Sequence, residues 1–218
     1  MQEAMITLVL VILATLAQQW RKYLQKKNHY AQSKDFQLYQ DIIIQLNELK
    51  NYTGASRVYL LEFHNGVVYS LSTPLWKISC SYEVMNFGIQ SVKDERTNVL
   101  ATSLVEWLQV IFGDEHKEEE GVIYTDCSQC EQCDKNHKVV GFDVETMDYE
   151  VYKTMLTLQG VKGLIHAPIV DNNNIIGILG LDYCDESQWV HIKGNLNNIK
   201  CEIRNKASII GFQRKKIK

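Results

Sequence analysis

Two apolar runs near the C-terminal end constrain this chain more than any other feature. Gly163-Leu164-Ile165-His166-Ala167-Pro168-Ile169-Val170 and Ile175-Ile176-Gly177-Ile178-Leu179-Gly180-Leu181-Asp182-Tyr183 are separated only by the polar Asp171-Asn172-Asn173-Asn174. Branched side chains favour extended backbone, and a short polar connection closes two such runs into an antiparallel hairpin. His166 alternates with apolar neighbours, so it reads as a hydrogen-bonded core histidine.

Other segments complete a sheet. Arg57 to Phe63 is branched and aromatic and stops at His64-Asn65-Gly66, where Asn-Gly suits a tight hairpin turn. The alternative for this triplet is an imidazole at a pocket rim. Trp76, Ile78, Cys80, Tyr82 and Val84 alternate with Ser79, Ser81 and Glu83, which places the two sets on opposite faces of a strand. Gly121 to Thr125 is a further short strand.

Apolar residues at helical spacing predict helices over Asp35–Lys50 (Phe36, Tyr39, Ile43, Leu46), Asn98–Phe112, Asp148–Leu158 and a closing segment marked by Ile192, Leu196, Ile199 and Ile203. Strands and helices in this order, with short connections, predict an α+β fold. In it a five- or six-stranded antiparallel sheet is covered by helices. With 218 residues, 2 prolines and 12 glycines, the chain has no room for a long linker between two full domains. The expected organisation is a segment 1–34, one domain over 35–212 and a basic tail 213–218.

Charge is segregated. Residues 1–34 carry five Lys/Arg against one Glu, residues 35–189 ten against twenty-four acids, and residues 190–218 eight against one. An acidic body between basic ends argues against nucleic acid as a partner and favours an anionic surface such as lipid headgroups. From Ala4 to Trp20 there are 17 uncharged residues, which as helix rise about 26 Å, the lower limit for crossing a hydrocarbon core of about 30 Å. Trp20 and Tyr23 suit the interface, and Arg21, Lys22, Lys26 and Lys27 follow, so the positive-inside rule predicts a single-pass transmembrane helix with the C-terminal body in the cytoplasm. A cleaved signal peptide and a buried core helix are the competing readings. The acidic run Asp114–Glu120 is a solvated loop.

Six cysteines in a cytoplasmic body are reduced thiols or metal ligands. Cys127, Cys130 and Cys133 stand in overlapping C-x2-C spacings, with His137 close behind. Three thiolates and one imidazole would close a tetrahedral zinc site. An iron–sulfur loop with a fourth ligand elsewhere, and a loop that binds nothing, remain open alternatives. The sequence carries no nucleophile elbow, Walker loop, Rossmann glycine pattern or His-Glu-x-x-His helix, so no enzyme is expected.

The late hairpin, Tyr124-Thr125-Asp126 and the strand Val58-Tyr59-Leu60-Leu61-Glu62-Phe63 together resemble the GAF family of small sensory domains, over about residues 35–212. PAS domains share a related architecture. The Asn-Lys-Phe-Asp-Glu signature of cyclic-nucleotide-binding members is absent, and no cysteine stands in an evident bilin-attachment context. The resemblance implies ligand-binding positions at Tyr82, Asp126, Asp148 and Tyr149, with Glu83 and Tyr183 nearby. Carboxylates there would suit a small polar or cationic ligand. The expected function is a membrane-anchored, cytoplasm-facing GAF-like sensory or interaction domain with no catalytic output. It would bind a small molecule or an unidentified partner protein and would form a homodimer through its terminal helices. The alternatives are a zinc-stabilised scaffold with an empty GAF fold and a small thiol-dependent reductase using Cys80 or the Cys127 loop.

Overall fold

A computed structural model describes the backbone of residues 2–68, 74–113, 120–125, 138–171 and 174–215; side chains are described over the same ranges except 2–14, 25–34, 65–68, 74–75 and 215. A long helix α1, Gln2–Thr53, crosses two compact units. Residues up to Asp41 form the first, which is helical throughout its described backbone. The second begins at Ile42 and holds the sheet. Among the described residues no helix is long and apolar enough to cross a membrane. The side chains of residues 4–14, most of the apolar run, lie outside that description.

Gly54, at φ +69°, ends α1 with its N–H on the Lys50 carbonyl. Strands β1 (Arg57–Val68) and β2 (Pro74–Met85) follow, then β3 (Val99–Leu100), a 3₁₀ turn (Ala101–Leu104) and α2 (Val105–Phe112). Next come β4 (Val122–Tyr124), β5 (Val140–Asp143) and α3 (Glu150–Leu158), and finally β6 (Gly163–Asp171), β7 (Asn174–Tyr183) and α4 (Glu186–Lys215). The strands make one antiparallel sheet in the order β3-β2-β1-β7-β6-β5-β4.

The sheet has seven strands, not five or six. The additional strands are β3 and β5, both too short for an alternation pattern to show in the sequence. The stretch expected as one helix from Asn98 instead gives β3 and the 3₁₀ turn before α2 begins at Val105. His64-Asn65-Gly66 is not a turn: β1 runs through it, with His64 opposite Lys77 and Asn65 opposite Trp76. Cross-strand pairing with β2 outweighs the local preference of Asn-Gly there. In α1 the buried stripe is Ile42, Leu46 and Leu49, whereas Phe36 and Tyr39 are exposed.

The sheet is covered on both faces. On one, Ile203, Ala207 and Ile210 of α4 and Ile42, Leu46 and Leu49 of α1 are buried, as are the strand residues Leu60, Leu179, Leu181, Ile165 and Ala167. Lys206 ties the two helices by reaching Gln45 (2.9 Å) and Glu48 (2.6 Å). On the other face, α2 and α3 pack over Tyr59, Leu61, Ile178, Phe142 and Leu164. Trp189 at the start of α4 lies flat on Gly163, and a Cβ at that position would overlap its indole. Gly163→Ala should therefore destabilise the fold by about 1–3 kcal/mol, the usual cost of overpacking, measurable as a lower urea midpoint at unchanged m.

Candidate functional site

Polar side chains are brought together in the middle of the α2/α3 face, where β1 and β7 pair. Arg57 lies opposite Asp182 and Tyr59 opposite Gly180 in that pairing. On the far side of β7, His166 lies opposite the same Gly180. Because Gly180 has no side chain, the Tyr59 ring crosses it; a Cβ there would strike the ring. The Tyr59 hydroxyl thereby reaches both Nε2 of His166 and Oδ1 of Asp182, each at 2.9 Å.

Hydrogen positions in this chain follow from donor capacity. The Trp107 indole N–H can only donate, and it meets Nδ1 of His166 at 3.1 Å. Nδ1 is therefore the unprotonated nitrogen and Nε2 carries the hydrogen. Nε2–H donates to the Tyr59 oxygen, and the Tyr59 hydroxyl donates to Asp182. The chain runs Trp107, His166, Tyr59, Asp182, with every donor pointing toward the carboxylate.

Asp182 also takes two cations on Oδ2, Arg57 at 2.8 Å and Arg96 at 2.9 Å. Arg96 enters from the β2–β3 connection, stacks 4.5 Å over the Tyr59 ring, and donates through Nε to Gln159 at 3.0 Å. Glu83 supplies a second carboxylate, 3.7 Å from Arg57 Nε, and accepts bonds from Ser91 and the Val92 N–H. The side chains of Arg57, Arg96, Glu83 and Asp182 are each under 5% exposed, so two positive and two negative charges balance away from water.

The environment sets protonation. Burial, and then the charge of Arg96, hold the His166 pKa well below its ordinary 6.5. Burial raises the Tyr59 hydroxyl, which Arg96 only partly offsets, and burial likewise raises Tyr152. For Arg96, burial is the largest effect and opposes the charge, but the Asp182 carboxylate and its hydrogen bond together with the neighbouring tyrosines outweigh it, so the pKa is raised and the guanidinium stays ionised. Burial, followed by Glu83, pushes the Cys80 thiol up to about 12, and burial raises Cys184 as well. Neither has the lowered pKa of a nucleophilic thiolate.

Beside this network, at the N-terminal ends of α2 and α3, lies a cleft of about 450 Å³. Thr102, Ser103 and Glu106 line it from one side and Asp148, Tyr149 and Glu150 from the other, with Trp107 and Tyr152 at its floor. The two floor rings lie 4.8 Å apart and tilted, and among the described residues no lysine or arginine lines the cleft.

Of the residues expected to bind a ligand, Asp148 and Tyr149 thus line one cleft. Asp126 lies outside the described residues, as do Cys127, Cys130, Cys133 and His137 of the thiol loop; among the described residues no group of metal-ligating side chains is found. Tyr82 does not line the cleft. A register shift at Ser81 pairs Leu61 with Cys80 but Leu60 with Tyr82, which moves Tyr82 to the α1/α4 face beneath Arg214 and puts Glu83 on the network side. Arg57, Arg96 and Asp182 were not singled out from sequence. The signal for two of them was a charge inside an otherwise apolar strand, which needs a buried partner.

No protein-family model and no curated protein matches the chain. Among solved structures, the GAF domain of PixJ from Thermosynechococcus elongatus in its blue-light absorbing form superposes with a TM-score of 0.50 at 12% identity, covering 85% of this chain and 93% of that one. The fold is GAF-like. The phycoerythrobilin-bound GAF domain of a cyanobacterial phytochrome (14% identity, 86% and 94% covered) and a far-red cyanobacteriochrome photoreceptor (11%, 92% and 98%) each superpose at 0.48. At these identities the likeness is one of fold alone.

The protonation pattern sets a pH dependence of this GAF-like fold. Below the ordinary histidine pKa of 6.5 the unfolded chain gains a proton at His166 that the native chain does not. Native stability therefore falls as pH drops through that value, by up to about 1.4 kcal/mol per pH unit from this group, and gains nothing from it above pH 7. His166→Gln should flatten the profile of unfolding free energy between pH 6.5 and 5; an unchanged profile would mean that native His166 takes up the proton.

Proposed function

We propose that the chain is a GAF-like sensory domain that receives a small polar or cationic molecule in the cleft between α2 and α3, without chemistry of its own. The cleft carries this reading. It opens on the α2/α3 face, its rim holds Glu106, Asp148 and Glu150 with no lining cation among the described residues, and its floor is aromatic. Carboxylates and hydroxyls around rings complement an amine better than an anion. Among the described residues no cysteine lines the cleft, so nothing there supports a covalently attached bilin.

Native mass spectrometry of the purified chain should find a small molecule retained, and choline should change Trp107 fluorescence saturably. Asp148→Ala should weaken either effect several-fold while leaving the unfolding temperature within about 2 °C, since Asp148 is an exposed position. No retained molecule and no response to choline would favour the second reading, a protein-interaction domain. That reading draws on the filled interior above Phe142 and His166 and on an apolar groove along α2 formed by Trp76, Val105, Leu108 and Phe112.

Membrane anchoring through residues 4–20, with the body on the cytoplasmic side, is part of the same proposal. Its support is the uncharged run followed by Arg21, Lys22, Lys26 and Lys27. Full-length protein should stay with membranes after carbonate extraction, whereas a chain beginning at Asp35 should be released; full-length protein in the soluble fraction with Met1 intact would overturn the anchor.

A further inference from the structure

The network also touches the place where both long helices meet the sheet. Asp182 is next to last in β7, just ahead of α4, and Arg57 opens β1, just after α1. The Ser56 N–H donates to the Asp182 carbonyl and the Cys184 N–H to Ser56 Oγ, both at 2.9 Å. The Asp182 side chain holds Arg57, whose other terminal nitrogen approaches Cys184 Sγ at 3.9 Å. At the opposite end of the same hydrogen-bond chain stands Trp107, on α2 and at the floor of the cleft.

We propose that Trp107, His166, Tyr59 and Asp182 form a hydrogen-bond polarity switch that reports the position of α2 at the cleft to the junction of α1 and α4 with the sheet. The two states follow from donor capacity. With Trp107 in place, Nδ1 of His166 must accept, Nε2–H points at Tyr59, and the Tyr59 hydroxyl is turned toward Asp182. When α2 shifts and the indole withdraws, water enters the vacated space and accepts a hydrogen bond from Nδ1, which takes up a proton from it while Nε2 gives its own back to solvent, so the ring stays neutral and Nδ1–H has an acceptor. Nε2 then accepts, the Tyr59 hydroxyl rotates to donate to it, and Asp182 loses that bond. Asp182 is left with its two arginines alone, and the Ser56–Asp182–Cys184 junction loosens. A small displacement at the cleft becomes a discrete change because a hydroxyl has one hydrogen and serves one acceptor at a time.

The input side of this switch rests on the cleft as the sensing site. The switch itself is measured on the unliganded full-length chain, so a cleft that binds nothing leaves the measurement standing. In wild-type protein the ring ¹⁵N shifts of His166 should show Nε2 protonated and Nδ1 bare; an Nδ1–H tautomer overturns the proposal outright. Trp107→Phe keeps the ring but removes the donor. It should populate the Nδ1–H tautomer and speed amide hydrogen exchange at Ser56 and Cys184 roughly fivefold, the ratio expected for loss of one buried hydrogen bond. In a Tyr59→Phe background, where the link is already cut, Trp107→Phe should add nothing at those amides. Retention of the Nε2–H tautomer in Trp107→Phe, or equal acceleration with and without Tyr59, would reduce Trp107 to a packing residue and overturn the switch.

Discussion

Asp182 takes two arginines at once, Arg57 from the start of β1 and Arg96 from the β2–β3 connection, at a point where neither charge meets water. Ions removed from water in this way are costly unless geometry and hydrogen bonds compensate. Compensation comes from Glu83, which evens the charge count, and from Tyr59 and Gln159, which occupy further acceptor and donor positions. Removing Asp182 would leave two buried guanidinium groups with Glu83 as their one carboxylate, a loss of the size seen when buried pairs are broken, about 3–5 kcal/mol. Through Arg96 the same carboxylate holds the connection between β2 and β3, and through Gln159 it holds the end of α3. Replacing this cluster with apolar side chains would cover the sheet equally well but would not fix where those segments sit.

The cluster also bears on what the domain can bind. The α2/α3 face of the sheet is the one that borders the cleft. Here much of it is occupied by Trp107, Tyr152, Phe142 and the His166 ring, packed at centroid distances of 4.8–5.8 Å. Among the described residues a cleft at the helix N-termini stays open, bordered by acids. Its floor is the outer surface of the polar network, so whatever enters would rest on Trp107 and Tyr152 and not on the sheet. Through Trp107 the cleft and the buried network share a wall.

Several elements were legible before any coordinates. The β6–β7 hairpin, the ends of α2 and α3 at Gly113 and Gly160, and the closing helix all follow from local preference, because turn residues and apolar spacing act over a few neighbours. Two misreadings share one cause. His64-Asn65-Gly66 has the composition of a turn but pairs with β2, and Tyr82 alternates with Cys80 yet lies on the opposite face because the strand bulges at Ser81. Both depend on the register between strands. A single slipped residue reverses every side chain beyond it, and nothing within either strand records where the slip occurs.

Local composition was enough for an α+β chain with an antiparallel sheet and its late hairpin. The buried cluster was not readable in this way. Arg57 and Asp182 are 125 positions apart, Arg96 and Asp182 are 86 apart, and Trp107 and His166 are 59 apart. A charge in an apolar strand shows that Arg57 and Asp182 need partners, but nothing in either neighbourhood says which. Only when β1 pairs with β7, with Gly180 leaving the Tyr59 ring room to cross, do they meet, and the direction of the bonds from Trp107 through His166 and Tyr59 to Asp182 is then set by the indole, which can only donate.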